Sequence, residues 1–268
     1  MSKVYVILGA KGQTGRLIAA QLLEEGDVAE VRCVVRDPAL IEAGTFPENK
    51  KIKVMKGDVS LEDEKLKASI QGAHCVFFAC SAKGYYPAKH VDWKGVQISA
   101  KVSKDAGVDR MVLISSQLTH PANRWNLIRG ILNTVVTGLF HKFGLMDFKF
   151  EGEKALIRSG VNYSIVRPGQ LTDGPGGKSK FHAGQCNGSF LSGGSCSRED
   201  LAAICIAASK SSSAANCTFE VACTPVENMS EEKSVPEESL FSGLATDFDK
   251  GWEKDGLYED EEGLMVRH

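Results

Sequence analysis

No stretch of this 268-residue chain reaches the roughly 18 to 20 consecutive apolar residues that a membrane-crossing helix needs. The nearest, Ile131 to Phe140, is too short and is broken by Asn133, Thr134 and Thr137, so it reads as a buried or interface helix. An excess of basic charge is also missing. The formal net charge of −2 argues against a nucleic-acid partner or a membrane-surface binder. The cysteines lie at positions 33, 75, 80, 186, 196, 205, 217 and 223, and no two of them form a CxxC pair. Several fall in expected strands or helices, where a thiol acts as a small apolar side chain. No metal site is therefore expected, and a reducing compartment is favoured over a disulfide framework. Neither an internal repeat nor a low-complexity tract is present. The chain enters its first apolar run almost at once, so no signal or transit peptide is expected. That reading places the protein in the cytoplasm, or in an organelle stroma or matrix if a presequence has been removed.

What is present starts with a glycine-rich turn, Gly9-Ala10-Lys11-Gly12-Gln13-Thr14-Gly15-Arg16. It follows the apolar run Val4 to Leu8 and precedes the amphipathic run Leu17 to Leu23. A buried strand, a turn of small residues and a helix start, in that order, aim free backbone N–H groups and the helix dipole at one point, which suits a phosphate. Gly9 permits the tight turn, Gly12 lets a pyrophosphate approach the backbone, and Gly15 lets the helix lie close to the sheet. Gln13 and Thr14 supply amides. The placement between strand and helix raises a dinucleotide site well above a ligand-free βα turn.

The next strand, Glu30 to Val35, ends in Arg36-Asp37-Pro38, about 20 residues beyond the glycines. NAD-specific sites place a carboxylate there for the adenosine ribose. Here the first residue is a cation. Arg36 can grip a 2′-phosphate through two hydrogen bonds, with Lys11 adding a second positive charge, which points to NADP(H). The alternative makes Arg36 a solvated loop residue and Asp37 the ribose ligand.

Strands and helices then alternate. Ile52 to Lys56 reads as strand three and leads into Gly57-Asp58-Val59-Ser60, with Ser60 and Asp63 as a capping pair for a helix through Gln71. Cys75 to Cys80 is a continuous apolar run, as expected of a strand covered on both faces. A helix over 92–106, strand five over 110–115, a helix over 148–159 and strand six over 163–167, stopped by Pro168-Gly169, complete the pattern. Such alternation predicts an α/β fold, a Rossmann-type doubly wound parallel sheet with ligands beyond the carboxyl ends of its strands. With 43% hydrophobic residues the chain can bury one large core. A dinucleotide-binding domain is expected over 1–223, with an acidic C-terminal extension over 224–268.

The segments GAKGQTGR, GDVS, VDWKG at Val91 to Gly95, SKDAGVDRMVLISS at Ser103 to Ser116, and EKALIRSGVNYSIVRPGQLTDGPGG at Glu153 to Gly177 together resemble the atypical short-chain dehydrogenase/reductases. The likeness is to the NAD(P)H-binding branch that holds plant and algal proteins, biliverdin/flavin reductase relatives and NmrA-like regulators, and it spans roughly residues 3–223. It implies a small C-terminal lobe over the cleft. It also implies cofactor contacts from Asp58 and Val59, from Ala79, Cys80 and Ser81 beneath the dinucleotide, and from Pro168 at the nicotinamide pocket.

Members of that family with the full catalytic set use a serine after strand five, then a tyrosine and, four residues later, a lysine that binds ribose hydroxyls and lowers the tyrosine pKa. Ser116 matches the serine and Lys149 the lysine, with Glu153 at a position where relatives often carry glutamate. Leu145 stands where the tyrosine belongs, and a leucine donates no proton. Hydride transfer itself needs only a nicotinamide held against an acceptor. A quinone, flavin or conjugated carbonyl, whose reduced form is a stabilised anion, can take its proton later from water. Tyr85, Tyr86, His90 and Trp93 offer an aromatic wall for such a planar small molecule, or serve as loop packing. His120 and His182 read as surface or structural, and Gly174 to Gly177 as a flexible loop able to close over a ligand. Ser197-Arg198-Glu199-Asp200 reads as a helix start.

Two regions exceed a minimal reductase. Between Gln117 and Met146 lie apolar residues at mostly helical spacing, including Trp125, Ile128 and Ile131. From Thr224 the formal charge is −9 (13 acids, 4 bases), against +7 for the residues before it, with Phe241, Leu244, Phe248, Trp252, Leu257 and Tyr258 among its acids. The first region could line the substrate pocket or dock a protein partner, and the second could wrap its own domain or clamp another protein. A non-catalytic NADP(H)-binding redox sensor or assembly protein is therefore the second reading of the sequence.

Overall fold

A computed structural model describes residues 2–82, 84–120, 123, 125–137, 144–185, 195–226, 234–250, 258–259 and 265–266. Its elements in chain order are β1 (Lys3–Leu8), α1 (Gln13–Leu22), β2 (Val28–Val35), β3 (Ile52–Lys56), α2 (Glu64–Ile70), β4 (Cys75–Phe78) and α3 (Tyr85–Ala88). Then come a π-helical turn (Lys89–Gly95), α4 (Val96–Asp105), β5 (Arg110–Ile114), α5 (Leu127–Thr137), α6 (Leu145–Arg158), β6 (Tyr163–Pro168) and β7 (Gln170–Thr172). The chain continues through β8 (Ser179–Gly184), β9 (Ser195–Ser197), α7 (Arg198–Lys210), β10 (Cys217–Pro225) and α8 (Asp247–Lys250), then the two-residue strands β11 (Tyr258–Glu259) and β12 (Met265–Val266).

Eight strands form one sheet in the order β3-β2-β1-β4-β5-β6-β10-β8. The first seven run parallel, as the βα alternation predicts, and β8 closes one edge antiparallel to β10. Strand β4 is apolar at every position and β1, β5 and β6 are largely so, because both faces are covered. On one face, α1 and α7 bury Ile18, Leu22, Leu201, Ile204 and Cys205 against Tyr5, Ile7, Phe77 and Phe219. On the other, α2, α4 and α6 bury Leu66, Ile70, Val96, Ala100 and Leu156 against Val6, Leu8, Val76 and Phe78. The strand order reverses between β1 and β4, which opens a crevice at their carboxyl ends for a ligand. The paired strands β7 and β9 lie outside the main sheet.

Local expectations are met with adjustments. Asp63 alone caps α2, accepting from the Leu66 N–H, while the Ser60 hydroxyl and amide both turn back onto Asp58. The helix expected over 92–106 begins earlier, at Tyr85, and passes through the π-helical turn before α4. Ser197 caps α7 as read, through the Asp200 N–H. The loop over 174–177 is tied down, its Gly176 and Gly177 amides donating to Glu199 and Asp200 on the first turn of α7.

The boundary placed after Cys223 falls inside β10, and part of the acidic extension docks on the preceding domain. Phe241 is fully buried, its ring meeting Phe219 edge-on at 5.5 Å. Asp247 accepts from the Tyr163 hydroxyl and from both the amide and hydroxyl of Thr218, and Gln185 exchanges two hydrogen bonds with Ala245. Burial raises the Asp247 carboxyl above the ordinary aspartate range against these donors. Residues 234–250 therefore wrap their own domain, whereas Trp252 and Leu257 lie outside the described residues. Phe241→Ala is expected to cost about 3–5 kcal/mol of unfolding free energy, measured by urea denaturation. A loss below about 1 kcal/mol would show that the extension is not part of the cooperative unit.

Candidate functional site

The glycine turn is shaped by crowding around the Gly9 carbonyl. Gly9 has φ +83°, in the left-handed region. A Cβ there would stand 2.8 Å from Cys80 Sγ and 2.9 Å from the Ala79 carbonyl, so the turn rests directly on the end of β4. The Gly12 N–H donates to the Gly9 oxygen at 2.9 Å, and a Cβ on Gly15 would lie 2.5 Å from that same oxygen. Side chains at either position would fill the space that keeps α1 close. Gly12, the N-cap of α1, brings no side chain to the helix end, so the first-turn amides, Gln13 and Thr14 among them, remain available. This is the geometry an anionic pyrophosphate requires.

Beside the turn, Lys11 Nζ donates to the Leu40 carbonyl at 2.9 Å, drawing it toward the segment that follows β2. Arg36 begins that segment, exposed and without an ion pair or side-chain hydrogen bond among the described residues. Asp37 uses one carboxylate oxygen to accept from the Ala39 N–H, capping the short turn Pro38–Leu40. Asp58 holds Ser60, and Val59 is buried against Gly95. Ala79 is fixed by its N–H to the Leu8 carbonyl at 2.9 Å. Pro168 ends β6, buried and paired with Val221.

A small cleft opens beyond the ends of β4 and β5, lined by Phe78, Cys80, Asp92, Val96, Leu113, Ile114, Ser115 and Lys149. Lys149 is largely buried, and its Nζ lies 2.9 Å from Asp92 Oδ1. The other Asp92 oxygen accepts the Ala82 N–H at 3.0 Å, so one buried carboxylate joins the loop after β4 to α6. Gly152 makes this possible. A Cβ at Gly152 would stand 2.2 Å from the Asp92 carbonyl oxygen, so only glycine lets α6 approach the π-helical turn this closely. Lys149, three residues earlier on the same helix, is thereby brought to Asp92.

The two serines after β5 divide their work. The Ser116 hydroxyl accepts from the Leu118 N–H at 3.2 Å and caps the turn Gln117–Thr119. Ser115 lines the cleft, and its buried hydroxyl has no partner among the described residues. An unpaired buried hydroxyl costs free energy unless a ligand completes it. Burial pushes the Cys80 thiol up to about 12, helped by Asp92 and opposed by Lys149, so it is neutral at physiological pH and is no thiolate nucleophile.

The wall of aromatics is mostly interior. Trp93, Leu118, Leu145, Met146 and Phe148 form a separate buried cluster, with the Tyr85 ring 5.2 Å from Phe148, edge to face. Leu145 is thus a packing residue. Tyr86 and His90 are exposed, whereas His182 on the edge strand β8 is half-buried and contacts Thr224 on β10. Neither Ser115, Asp92 nor Gly152 was singled out from sequence. Serial Ser115-Ser116 and a glycine inside an otherwise good helix were the available signals.

Behind the cleft, Arg167 on β6 bonds Glu153 on α6 through Nε and Nη2 and reaches Glu220 on β10, all three buried. Burial alone would lower the Arg167 pKa, but the two carboxylates outweigh it and hold the guanidinium charged. Thr119 adds a hydrogen bond to Glu153, and Arg129 on α5 gathers the carbonyls of Leu118, Thr119 and His120 and the carboxylate of Asp147. Among the described residues no group of three histidine, cysteine or acidic side chains is placed to hold a metal, and no helix is long and apolar enough to cross a membrane.

A parallel sheet that reverses order beside an uncapped glycine turn, with a charged pair at the neighbouring strand end, defines a Rossmann-fold dinucleotide-binding protein. More narrowly, the chain belongs to the NAD(P)H-binding family, which matches residues 9–212. It is 33% identical over 181 residues to an uncharacterised chloroplast protein of Arabidopsis thaliana, the match covering 65% of this chain and 61% of that one. It therefore spans about three fifths of that relative. Sanguinarine reductase of Eschscholzia californica is 25% identical over 286 residues, 92% of this chain and 98% of that enzyme. Among solved structures, a short-chain dehydrogenase/reductase of Veillonella parvula in complex with NADP superposes with a TM-score of 0.62 at 16% identity, covering 83% of this chain and 95% of that one. The fold is the one seen in that short-chain dehydrogenase/reductase, and the family to which the chain belongs is defined by NAD(P)H binding.

Gly152→Ala tests how the cleft is assembled. Alanine normally gains about 0.5–1 kcal/mol over glycine inside a helix. Here it is expected to lower the thermal midpoint, because α6 must retreat from Asp92. A raised midpoint would contradict the close approach.

Proposed function

We propose that the protein is an NADP(H)-dependent reductase that delivers hydride to a planar acceptor of the quinone, flavin or conjugated-carbonyl class. The observation that carries this reading is the buried Lys149–Asp92 pair in the cleft beside β4 and β5. A protein that only holds the adenosine half of a dinucleotide does not require a fixed charge at the nicotinamide end.

In this reading the amides of Gln13 and Thr14, with Gly9, Gly12 and Gly15, hold the pyrophosphate. Arg36, free of other partners, and Lys11 receive the 2′-phosphate, whereas Asp37 already spends an oxygen on its own turn. Asp58 and Val59 border the adenosine half. Ala79, Cys80 and Ser81 run beneath the dinucleotide, and Pro168 shapes the nicotinamide pocket. Lys149 binds ribose hydroxyls, and Asp92 fixes its direction. Ser115 offers a hydroxyl to the acceptor, in preference to Ser116, whose oxygen is occupied by the Leu118 amide. Bound NADPH supplies the hydride. The chain's part is to exclude water below the ring with Phe78 and Leu113, and to set a cation beside the developing anion. The likeness to a chloroplast protein supports a location in an organelle stroma.

A redox-sensing or assembly role is the second reading, favoured by α5 and its approach, where Trp125, Leu127, Ile128 and Ile131 are all more than half exposed.

Two substitutions separate the parts. Arg36→Ala is expected to weaken NADPH about ten- to a hundredfold while leaving NADH within about twofold, by fluorescence titration, since hydrogen bonds to charged groups contribute about 1.5–3 kcal/mol. Equal losses would remove the 2′-phosphate assignment. Lys149→Ala is expected to lower kcat with a quinone, flavin or enone panel about a hundredfold while NADPH binding falls less than tenfold. Tight NADPH binding by the wild type with no oxidation by any acceptor would favour the sensor reading instead.

A further inference from the structure

Outside the cleft, two cysteines on different strands face each other in the core. Cys196 is the central residue of β9, and Cys223 lies near the end of β10. Their sulfurs are 2.7 Å apart, Cys223 toward Cys196, and the two residues are 1% and 2% exposed. Cys196 also points its thiol at the Ser197 carbonyl, 3.4 Å away. The residues are separated by 27 positions, so folding and not chain proximity brings them together. Two buried thiols in a shared apolar pocket could pack as independent small side chains. The mutual approach of the sulfurs from two separate strands is what sets this pair apart from Cys33, Cys75 and Cys205, which are also buried and free.

We propose that Cys196 and Cys223 are a modification site, a dithiol that converts reversibly to an intramolecular disulfide by exchange with a low-molecular-weight disulfide such as oxidised glutathione. The Cys223 thiol and burial hold the Cys196 thiol far above the usual cysteine range, so its thiolate forms only when the β7–β9 pair opens to water; it then attacks the small disulfide, forming a mixed disulfide and releasing one small thiol. The second cysteine attacks the protein sulfur of that mixed bond and releases the other. One S–S bond forms and one breaks, and the two electrons and two protons leave on the two small thiols. The step does not depend on the reductase reading.

The placement gives the bond a consequence. β9 is three residues long and pairs with the equally short β7, which follows Pro168 and Gly169 directly. The residue after Cys196, Ser197, caps α7, whose first turn holds the glycine loop over 174–177. β10 belongs to the central sheet. A Cys196–Cys223 bond therefore staples the lobe beside Pro168 onto the sheet. Access for the small disulfide comes from opening of the short β7–β9 pair, a local event that leaves the main sheet closed.

The full chain would be incubated with oxidised or reduced glutathione, denatured, alkylated and digested with trypsin and chymotrypsin. Cleavage after Phe190, Arg198, Lys210 and Phe219 leaves Cys196 and Cys223 each on a peptide with no other cysteine. The expected result is a peptide pair joined through Cys196 and Cys223, a fall from eight to six alkylated thiols, reversal by dithiothreitol, and a thermal midpoint raised by about 5 °C in the oxidised form. Cys196→Ala should leave Cys223 reduced or singly glutathionylated, and Cys33→Ala should leave the bridge intact. Eight alkylated thiols after oxidation, or a bridge through any other cysteine, overturns the proposal. The wild-type measurement decides it even if the alanine variants fail to fold.

Discussion

Three groups compete for the space around one backbone oxygen, the carbonyl of Gly9. The Gly12 amide donates to it, the backbone of Gly15 passes against it, and the end of β4 lies beneath the Gly9 Cα. Only hydrogen atoms fit at positions 9 and 15. This crowding decides where α1 starts and how close it lies to β1, and hence where its open first-turn amides point. It also locks the turn to Ala79 and Cys80, the two residues at the mouth of the cleft. The glycine turn and the mouth of the crevice are therefore parts of one contact.

Helix α6 plays the corresponding role on the far side. It carries Lys149 toward Asp92, Gly152 against the π-helical turn, and Glu153 toward Arg167, so three residues within about one helical turn face three different requirements. The Arg167–Glu153–Glu220 cluster is costly to bury, and a set of matched apolar side chains could be as stable. What the ions add is direction. Arg167 has fixed donors for carboxylates on two elements, and Thr119 completes Glu153 from the loop after β5. That loop is in turn held by Arg129 through three carbonyls. The serine pair at the end of β5 thus sits on a scaffold braced from both sides.

Much of this architecture was legible in the chain because it follows from local pattern. The continuous apolar runs gave β1, β4 and β6, and the glycines at 9, 12 and 15 gave the turn, since in each case neighbouring residues carry the whole signal. The antiparallel edge strand β8 and the β7–β9 pair were not, because their partners lie far away in sequence and neither has a clean alternation. The apolar residues of the acidic stretch after Thr224 point to packing on its own domain or on a partner, but the burial of Asp247, its carboxylate satisfied by Tyr163 and Thr218 on two strands distant in sequence, was not legible there. In the cleft, Lys149 was visible through its likeness to relatives. Asp92 was not, since an acid at that place looks like an ordinary helix residue until Gly152 draws α6 against it.

The side chains that line the cleft constrain the kind of acceptor it can serve. Leu145 is committed to the cluster of Trp93 and Phe148, so position 145 offers no phenol to Lys149. Cys80 holds its proton to about pH 12, and Ser115 offers only a hydroxyl, so neither is a proton source of suitable acidity near neutrality. Lys149 remains as a cation, partly offset by Asp92. A simple ketone reduced here would form an alkoxide far too basic to survive without a matched acid. An acceptor that spreads the incoming charge over a ring system needs only a nearby positive charge and a donated hydrogen bond. On the proposed reading, replacing the tyrosine with a buried leucine does not silence the site; it restricts the site to acceptors whose reduced form is already a stable anion.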